Sequence, residues 1–164
     1  INKLVIDDGV SSSYDMIIGY AGSFKYGQQI GYNFIPPEYR GVRSPEQYIV
    51  AAFIPAMREL FEELKFPGDD NEFFEMSSMI FAFNGILGVI QSDLSAFFVE
   101  DFCAIGSGSQ YAYGSYASNN RCQERINLMN TNTELFASHI IQDAASYSYA
   151  VSDVCDVMTL YTGG

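Results

Sequence analysis

The residues able to do chemistry fall in a few short stretches. Phe102 to Ser118 reads as an apolar strand end, Phe102-Cys103-Ala104-Ile105, running into Gly106-Ser107-Gly108-Ser109 and then into an Ala/Tyr-rich segment at helical spacing. Glycine in such a bend allows positive φ and close approach by another group. The free N–H groups that open the following helix make a weakly positive, anion-tolerant end. Gly19-Tyr20-Ala21-Gly22 closes a second apolar strand, and Ser23 stands where a helix cap is expected. Lys3 heads a short apolar run near the start, and Ser152-Asp153 precede a final run from Asp156 to Thr162. Taken alone, each has a plainer reading: a solvated lysine at Lys3, a glycine-ended core strand at Gly22, a helix-capping serine at Ser107.

The elements that must position these residues follow in order. Leu4 to Asp7 is a short strand, and Asp15 to Gly22 is an apolar run suited to burial on both faces. A helix is expected from Ser23 to about Phe34, where Pro36-Pro37 stops it. Ser44-Pro45-Glu46-Gln47 predicts a helix start, with a capping serine, proline at the first helical position and a glutamine three residues after the serine. Pro55 predicts a kink within that helix, which runs to about Leu64, and Glu59, Glu62 and Glu63 read as its exposed face. Glu75 to Phe83 and Ile86 to Ser92 read as strands joined by Asn84-Gly85, the strongest hairpin signal in the chain. Phe97 to Val99 and Cys103 to Ile105 are short strand pieces. Helices are expected from Ser107 to about Asn119 and after a cap at Asn132 or Thr133, with a last strand from Asp156 to Tyr161. Helices thus come in consecutive pairs rather than singly between parallel strands. That order favours an α+β, four-layer αββα sandwich of antiparallel sheets over a doubly wound fold.

Composition excludes several function classes. Apolar residues make up 48% and charged ones 17%, with 13 Phe and 12 Tyr, as in a globular, aromatic-rich chain with a sizeable core. The net charge of −12, with eight Lys and Arg that form no cluster, argues against nucleic acid and against anionic membrane surfaces. Cys103, Cys122 and Cys155 include no CxxC pair, so with one histidine they give no zinc set and read as reduced thiols in a cytoplasmic protein. No apolar run reaches membrane-spanning length. The single histidine, His139, lies mid-helix among apolar neighbours, so a Ser-His-Asp triad is not assembled, and the glycine run lacks a phosphate-loop ending. Tyr111, Tyr113, Tyr116, Tyr147 and Tyr149 read as core or subunit interface.

The wording Ala104-Ile105-Gly106-Ser107-Gly108-Ser109-Gln110-Tyr111-Ala112-Tyr113-Gly114 resembles the strand–turn–helix signature of the proteasome β-subunit and HslV family of N-terminal nucleophile (Ntn) hydrolases. Gly19 to Gly22 and the opening Asn2-Lys3-Leu4-Val5-Ile6-Asp7 resemble two further motifs of that family. The resemblance implies one Ntn-hydrolase-like domain over residues 1–164, truncated at both ends. It implies a peptidase whose N-terminal threonine attacks the peptide bond while its own α-amino group, of near-neutral pKa, serves as base. That threonine and a supporting aspartate belong to a first hairpin with no counterpart after Ile1, so either the catalytic start lies upstream or the subunit has lost it.

The remaining site parts map residue by residue. Lys3 would lower the pKa of the nucleophile electrostatically, and the Gly22 N–H would face the oxygen of the tetrahedral intermediate. Tyr20, Ser23 and Phe24 would border the first specificity pocket. Ser107 would hydrogen-bond near the nucleophile's amino group, and Asp153, beside Ser152, stands nearest the acidic residue that closes the site. No cofactor is required; a monovalent cation, Na+, is the one implied ligand, on backbone oxygens of Asp156, Thr159 and Thr162. The implied partners are further copies in a homo-oligomeric ring, a hexamer or heptamer that stacks in some members, an AAA+ unfoldase and polypeptide substrates. The alternatives are an inactive structural ring subunit of the same fold and an unrelated α+β binding module.

Overall fold

Runs of β-branched and aromatic residues build a five-stranded antiparallel sheet: β1 (Asn2–Ile6), β2 (Tyr14–Ala21), β3 (Ser78–Phe83), β4 (Ile86–Ile90) and β5 (Ala96–Val99), in that spatial order. The computed structural model describes residues 2–6, 14–63 and 78–148. These residues fall into two compact units, one within Ile1–Asp101 and one within Phe102–Tyr161.

In the first unit, strand alternation sorts side chains onto two faces. Met16, Ile18 and Tyr20 pair with Phe83, Phe81 and Met79, and all of these but Tyr20 are buried. This face is covered by α1 (Phe24–Asn33), α2 (Pro45–Tyr48), a π-helical stretch (Ile49–Phe53) and α3 (Ile54–Glu63). They contribute Ile30, Tyr48, Ile49, Phe53, Ile54, Met57 and Phe61 to one core. Rings meet edge to face, Phe34 with Phe53 and Tyr39 with Phe83, each at 5.1 Å between centroids. The opposite face is apolar too: Ile17 pairs with Ala82, and Ile80 with Val89. Val89 is buried there, and Ile17, Ile80, Ala82 and Leu87 are half-buried.

The helix and hairpin signals behave as their chemistry dictates. Ser44 Oγ accepts from the Gln47 N–H at 3.3 Å while Gln47 Oε1 accepts from the Ser44 N–H at 3.2 Å, a closed capping box with Pro45 at its start. Pro55 lacks an N–H and removes one α-helical bond. The chain takes up the defect just ahead of it, in the π-helical stretch, where the Ile54 N–H reaches back to the Ile49 carbonyl. Asn84 (φ 44°) and Gly85 (φ 82°) form the tight turn between β3 and β4.

The second unit is helical: α4 (Ser109–Asn119), α5 (Gln123–Thr131) and α6 (Thr133–Tyr147). Asn132 caps α6, its Oδ1 accepting from the Leu135 N–H at 3.0 Å. Among the described residues, Ala112, Phe136, Ile140 and Ala144 are the buried residues of its core.

Several expectations need correction. Cys103 to Ile105 is not a strand; the Ala104 N–H donates to Tyr113 Oη at 3.3 Å instead of to a ladder partner. Helix α5 is unanticipated, because Asn127, Asn130, Thr131 and Asn132 carry turn-like chemistry and its apolar residues lack a clean helical stripe. His139 is exposed on α6 while Phe136, Ile140 and Ala144 turn inward. Tyr111, Tyr113 and Tyr147 are exposed rather than core. Among the described residues the antiparallel sheet is single; the expected last strand, Asp156 to Tyr161, lies outside them.

Candidate functional site

A first candidate region forms where β2 hands over to α1. The ladder to β3 ends on the pairs Gly19↔Ile80, Tyr20↔Met79 and Ala21↔Ser78. Gly19 is tightly opposed, since a β-carbon there would stand 3.1 Å from Ile80 Cγ1. Gly22 then takes φ 123°, a left-handed conformation that side chains resist, and it is exposed. Ser23 follows as the N-terminal cap of α1 in extended conformation, its carbonyl accepting from the Gly27 N–H at 3.4 Å while its side chain makes no cap bond. The bend thus presents an open backbone at Gly22 directly before a helix start, a place suited to developing negative charge.

Around that bend, Tyr20 is half-buried against the sheet–helix core, Ser23 is half-buried and Phe24 is 75% exposed at the first position of α1. Tyr20, Gly22, Ser23 and Phe24 therefore share one corner of the first unit. Lys3 lies in β1 opposite Ile17 of β2. The β1–β2 register runs Ile6↔Tyr14 to Asn2↔Ile18, so the N-terminal end of β1 travels along β2 in the direction of Gly22.

A second candidate region lies in the other unit. Gly106 takes φ 89°, and the Ser109 N–H donates to its carbonyl at 3.1 Å, closing a turn. Gly108, not Ser107, occupies the cap position of α4, with φ −87° and ψ −3°, and no side chain caps the helix. The capping account of Ser107 is thereby removed, and its side chain is exposed on the turn. Behind the turn, Phe102 stacks on Tyr116 at 4.4 Å and meets Tyr113 edge-on at 5.4 Å. Burial pushes the Cys103 thiol up to about 11, so it stays protonated and unreactive at neutral pH.

Asp153, Asp156, Thr159 and Thr162 lie outside the described residues. Among the described residues no cluster of three His, Cys, Asp or Glu side chains offers a metal site, and no helix is long and apolar enough to cross a membrane. One residue beside the Gly22 bend had not been singled out from the sequence. Gly27, buried on α1, lies directly beneath the Tyr20 ring. Its signal was a glycine in the middle of an otherwise helical run, where propensity disfavours it.

No protein-family model matches the chain, and no curated protein does. Solved structures do. BPH of Thiobacillus denitrificans, a bacterial proteasome homologue, is 18% identical over 83% of this chain and 69% of its own, with a TM-score of 0.60. The same protein in complex with epoxomicin gives 19% identity over the same shares and a TM-score of 0.61. HslV of Trypanosoma brucei gives 16% identity, 93% and 86% coverage and a TM-score of 0.48. An antiparallel α+β chain that overlays on BPH at this level shares the fold of that proteasome homologue.

Proposed function

We propose that this chain is part of a threonine-type peptidase subunit that hydrolyses peptide bonds within a ring of like subunits. The observation that carries the reading is Gly22: an exposed glycine at φ 123°, at the end of a core strand and the head of a helix, on a fold shared with BPH. In this reading the Gly22 N–H donates to the oxyanion that forms when a hydroxyl adds to the substrate carbonyl. One such donor is worth roughly 10²–10³ in rate. The hydroxyl, its proton-accepting amine and the acyl-enzyme it forms belong to a threonine supplied ahead of Ile1. The direction in which β1 runs beside β2 suits that supply. Lys3, Ser107 and Asp153 are assigned to the surroundings of the nucleophile. Tyr20, Ser23 and Phe24 border the substrate side chain, and backbone oxygens of Asp156, Thr159 and Thr162 form the cation site.

The four-layer αββα arrangement is part of the same proposal. A sheet apolar on both faces needs a layer against each, and α1 to α3 cover the face of Met16, Ile18 and Phe81. A second sheet over Ile17, Ile80 and Val89 would meet that need. Ring assembly in the cytoplasm, with an AAA+ unfoldase feeding polypeptides, completes the reading, because a peptidase of loose sequence preference must be kept from folded proteins.

The test is to purify the natural full-length protein, sequence its mature N-terminus and assay fluorogenic peptide turnover with and without epoxomicin, the compound bound by BPH. The expected result is an N-terminal threonine, turnover blocked by epoxomicin, and a multimer by light scattering. A mature chain that truly begins at Ile1 overturns the enzyme reading in favour of an inactive ring subunit.

A further inference from the structure

Gly27 sits inside α1, buried, where glycine weakens a helix relative to alanine. The space over it is taken. A β-carbon at this position would stand 2.0, 2.1 and 2.5 Å from Cζ, Cε2 and Cε1 of Tyr20, so the phenol end of that ring rests on bare helix backbone. Ordinary contact begins at 3.4 Å, and any side chain at 27 would drive the ring back by ~1.4 Å or more. Tyr20 is two residues from Gly22 on the same strand end, and it packs against a core in which Met79, its partner on β3, is 1% exposed. Tyr20 is half-buried at the strand end, two residues before the exposed Gly22.

We infer that Gly27 is a positioning residue that determines specificity: by seating the Tyr20 ring on α1, it keeps open the space beside the Gly22 bend for a large substrate side chain. The inference rests on the peptidase reading of that bend. Without the seat, the ring moves into the space that the residue on the acyl side of the cleaved bond would occupy. Large residues there are then rejected before small ones. Gly27 touches no substrate; it acts through Tyr20.

Two measurements on the full-length protein test it. The first needs no activity: thermal unfolding of wild type, Gly27→Ala, Tyr20→Ala and the double variant. With Tyr20 present, Gly27→Ala lowers Tm; with Tyr20 replaced by alanine, the same substitution raises it by ~2–4 °C, the ordinary gain for alanine over glycine in a helix of a protein this size. A change of the same sign in both backgrounds overturns the seat. The second compares kcat/KM for peptides with phenylalanine and with alanine before the cleaved bond. Gly27→Ala lowers the Phe/Ala ratio by about tenfold or more, since a misplacement of about 1 Å can cost up to ~10²-fold. Sign reversal in Tm with an unchanged ratio overturns the specificity role and leaves the peptidase reading standing. Wild type without turnover overturns the peptidase reading and the specificity role together, while the unfolding cycle still decides the seat.

Discussion

The two units are held by different means. The sheet unit buries a continuous set of large side chains, with Met16, Ile49, Phe53, Met57 and Phe83 all at 0% exposure and rings meeting edge to face. Among the described residues the helical unit buries Ala112, Phe136, Ile140 and Ala144 in its core, and two of these four are alanines. It supplements that small core at its margin, through the Phe102–Tyr116 stack and the Ser115–Asp143 hydrogen bond. Apolar burial contributes about 25 cal/mol per Å², so the large rings and aliphatics of the sheet core contribute more per residue than Ala112 and Ala144 of the helical one. Each bears one candidate region. The Gly22 bend grows from the more deeply buried frame, and the Ser107 turn from the more lightly buried one.

Truncation of a ring in each unit tests this contrast most strongly. Phe53 is fully enclosed by Phe34, Tyr48 and the rest of the sheet–helix core, so Phe53→Ala should cost ~3–5 kcal/mol in urea denaturation. Phe136, 5% exposed and flanked by small buried residues and the Tyr116 ring, has neighbours better able to close the gap. Phe136→Ala should cost nearer ~2 kcal/mol, because the penalty scales with the cavity left behind. Equal losses would mean that the helical unit is as tightly built as the sheet unit, and the contrast would fail.

The same division governs what the sequence made legible. In the sheet unit, strand alternation, the Ser44 capping box and Asn84-Gly85 each have a local cause, and the elements form where those causes place them. Pro55 foretold a disturbance but not its form, since the π-helical stretch depends on which carbonyl Ile54 reaches. Leu94 could not be read at all. It takes φ 64° while 4% exposed, because the Gln91 N–H bonds to the Ser95 carbonyl at 2.8 Å and closes the β4–β5 loop around it. In the helical unit the polar α5 escaped notice; of the tyrosines read as core or subunit interface, Tyr111, Tyr113 and Tyr147 are exposed while Tyr116 packs against the core. Of the site, the Gly22 conformation followed from its residue type. Gly27 did not, because its reason is a ring seven residues earlier that only the fold brings over it.

A smaller effect probes the margin of the sheet unit. Tyr48 is 2% exposed, and its hydroxyl donates to the Pro37 carbonyl at 2.6 Å, tying down the segment between α1 and α2. Tyr48→Phe should cost ~1 kcal/mol, the net value of one such bond, while keeping the ring in the core. Burial pushes the Tyr48 phenol from an ordinary 10.0 up to about 12. The unfolded chain therefore loses this proton first, and the contribution is intact below pH 10 and declines as pH rises toward about 12. Unfolding of wild type and Tyr48→Phe across pH 9 to about 12 should show a shallower alkaline decline in the variant. Parallel profiles would place the alkaline sensitivity elsewhere, with the Cys103 thiol, raised to about 11, the next group to replace.

The smallest effect bears on the helical unit. Ser115 Oγ donates to Asp143 Oδ2 at 2.6 Å, joining α4 to α6, and accepts from Asn119 Nδ2 at 3.3 Å. Asn119 is 3% exposed, so its amide must keep acceptors inside the protein, whereas Asp143 is exposed and can turn to water. Removing Asp143 should therefore matter less than removing Ser115. A double-mutant cycle of Ser115→Ala and Asp143→Ala should give a coupling of ~0.5–1 kcal/mol, with Ser115→Ala the costlier single change. If the coupling vanishes, the polar contact is a passenger on the surface, and α4 and α6 are joined by apolar packing and by ring contacts such as Tyr116 on Phe136. In that case the helical unit would differ from the sheet unit only in amount of buried area, not in kind.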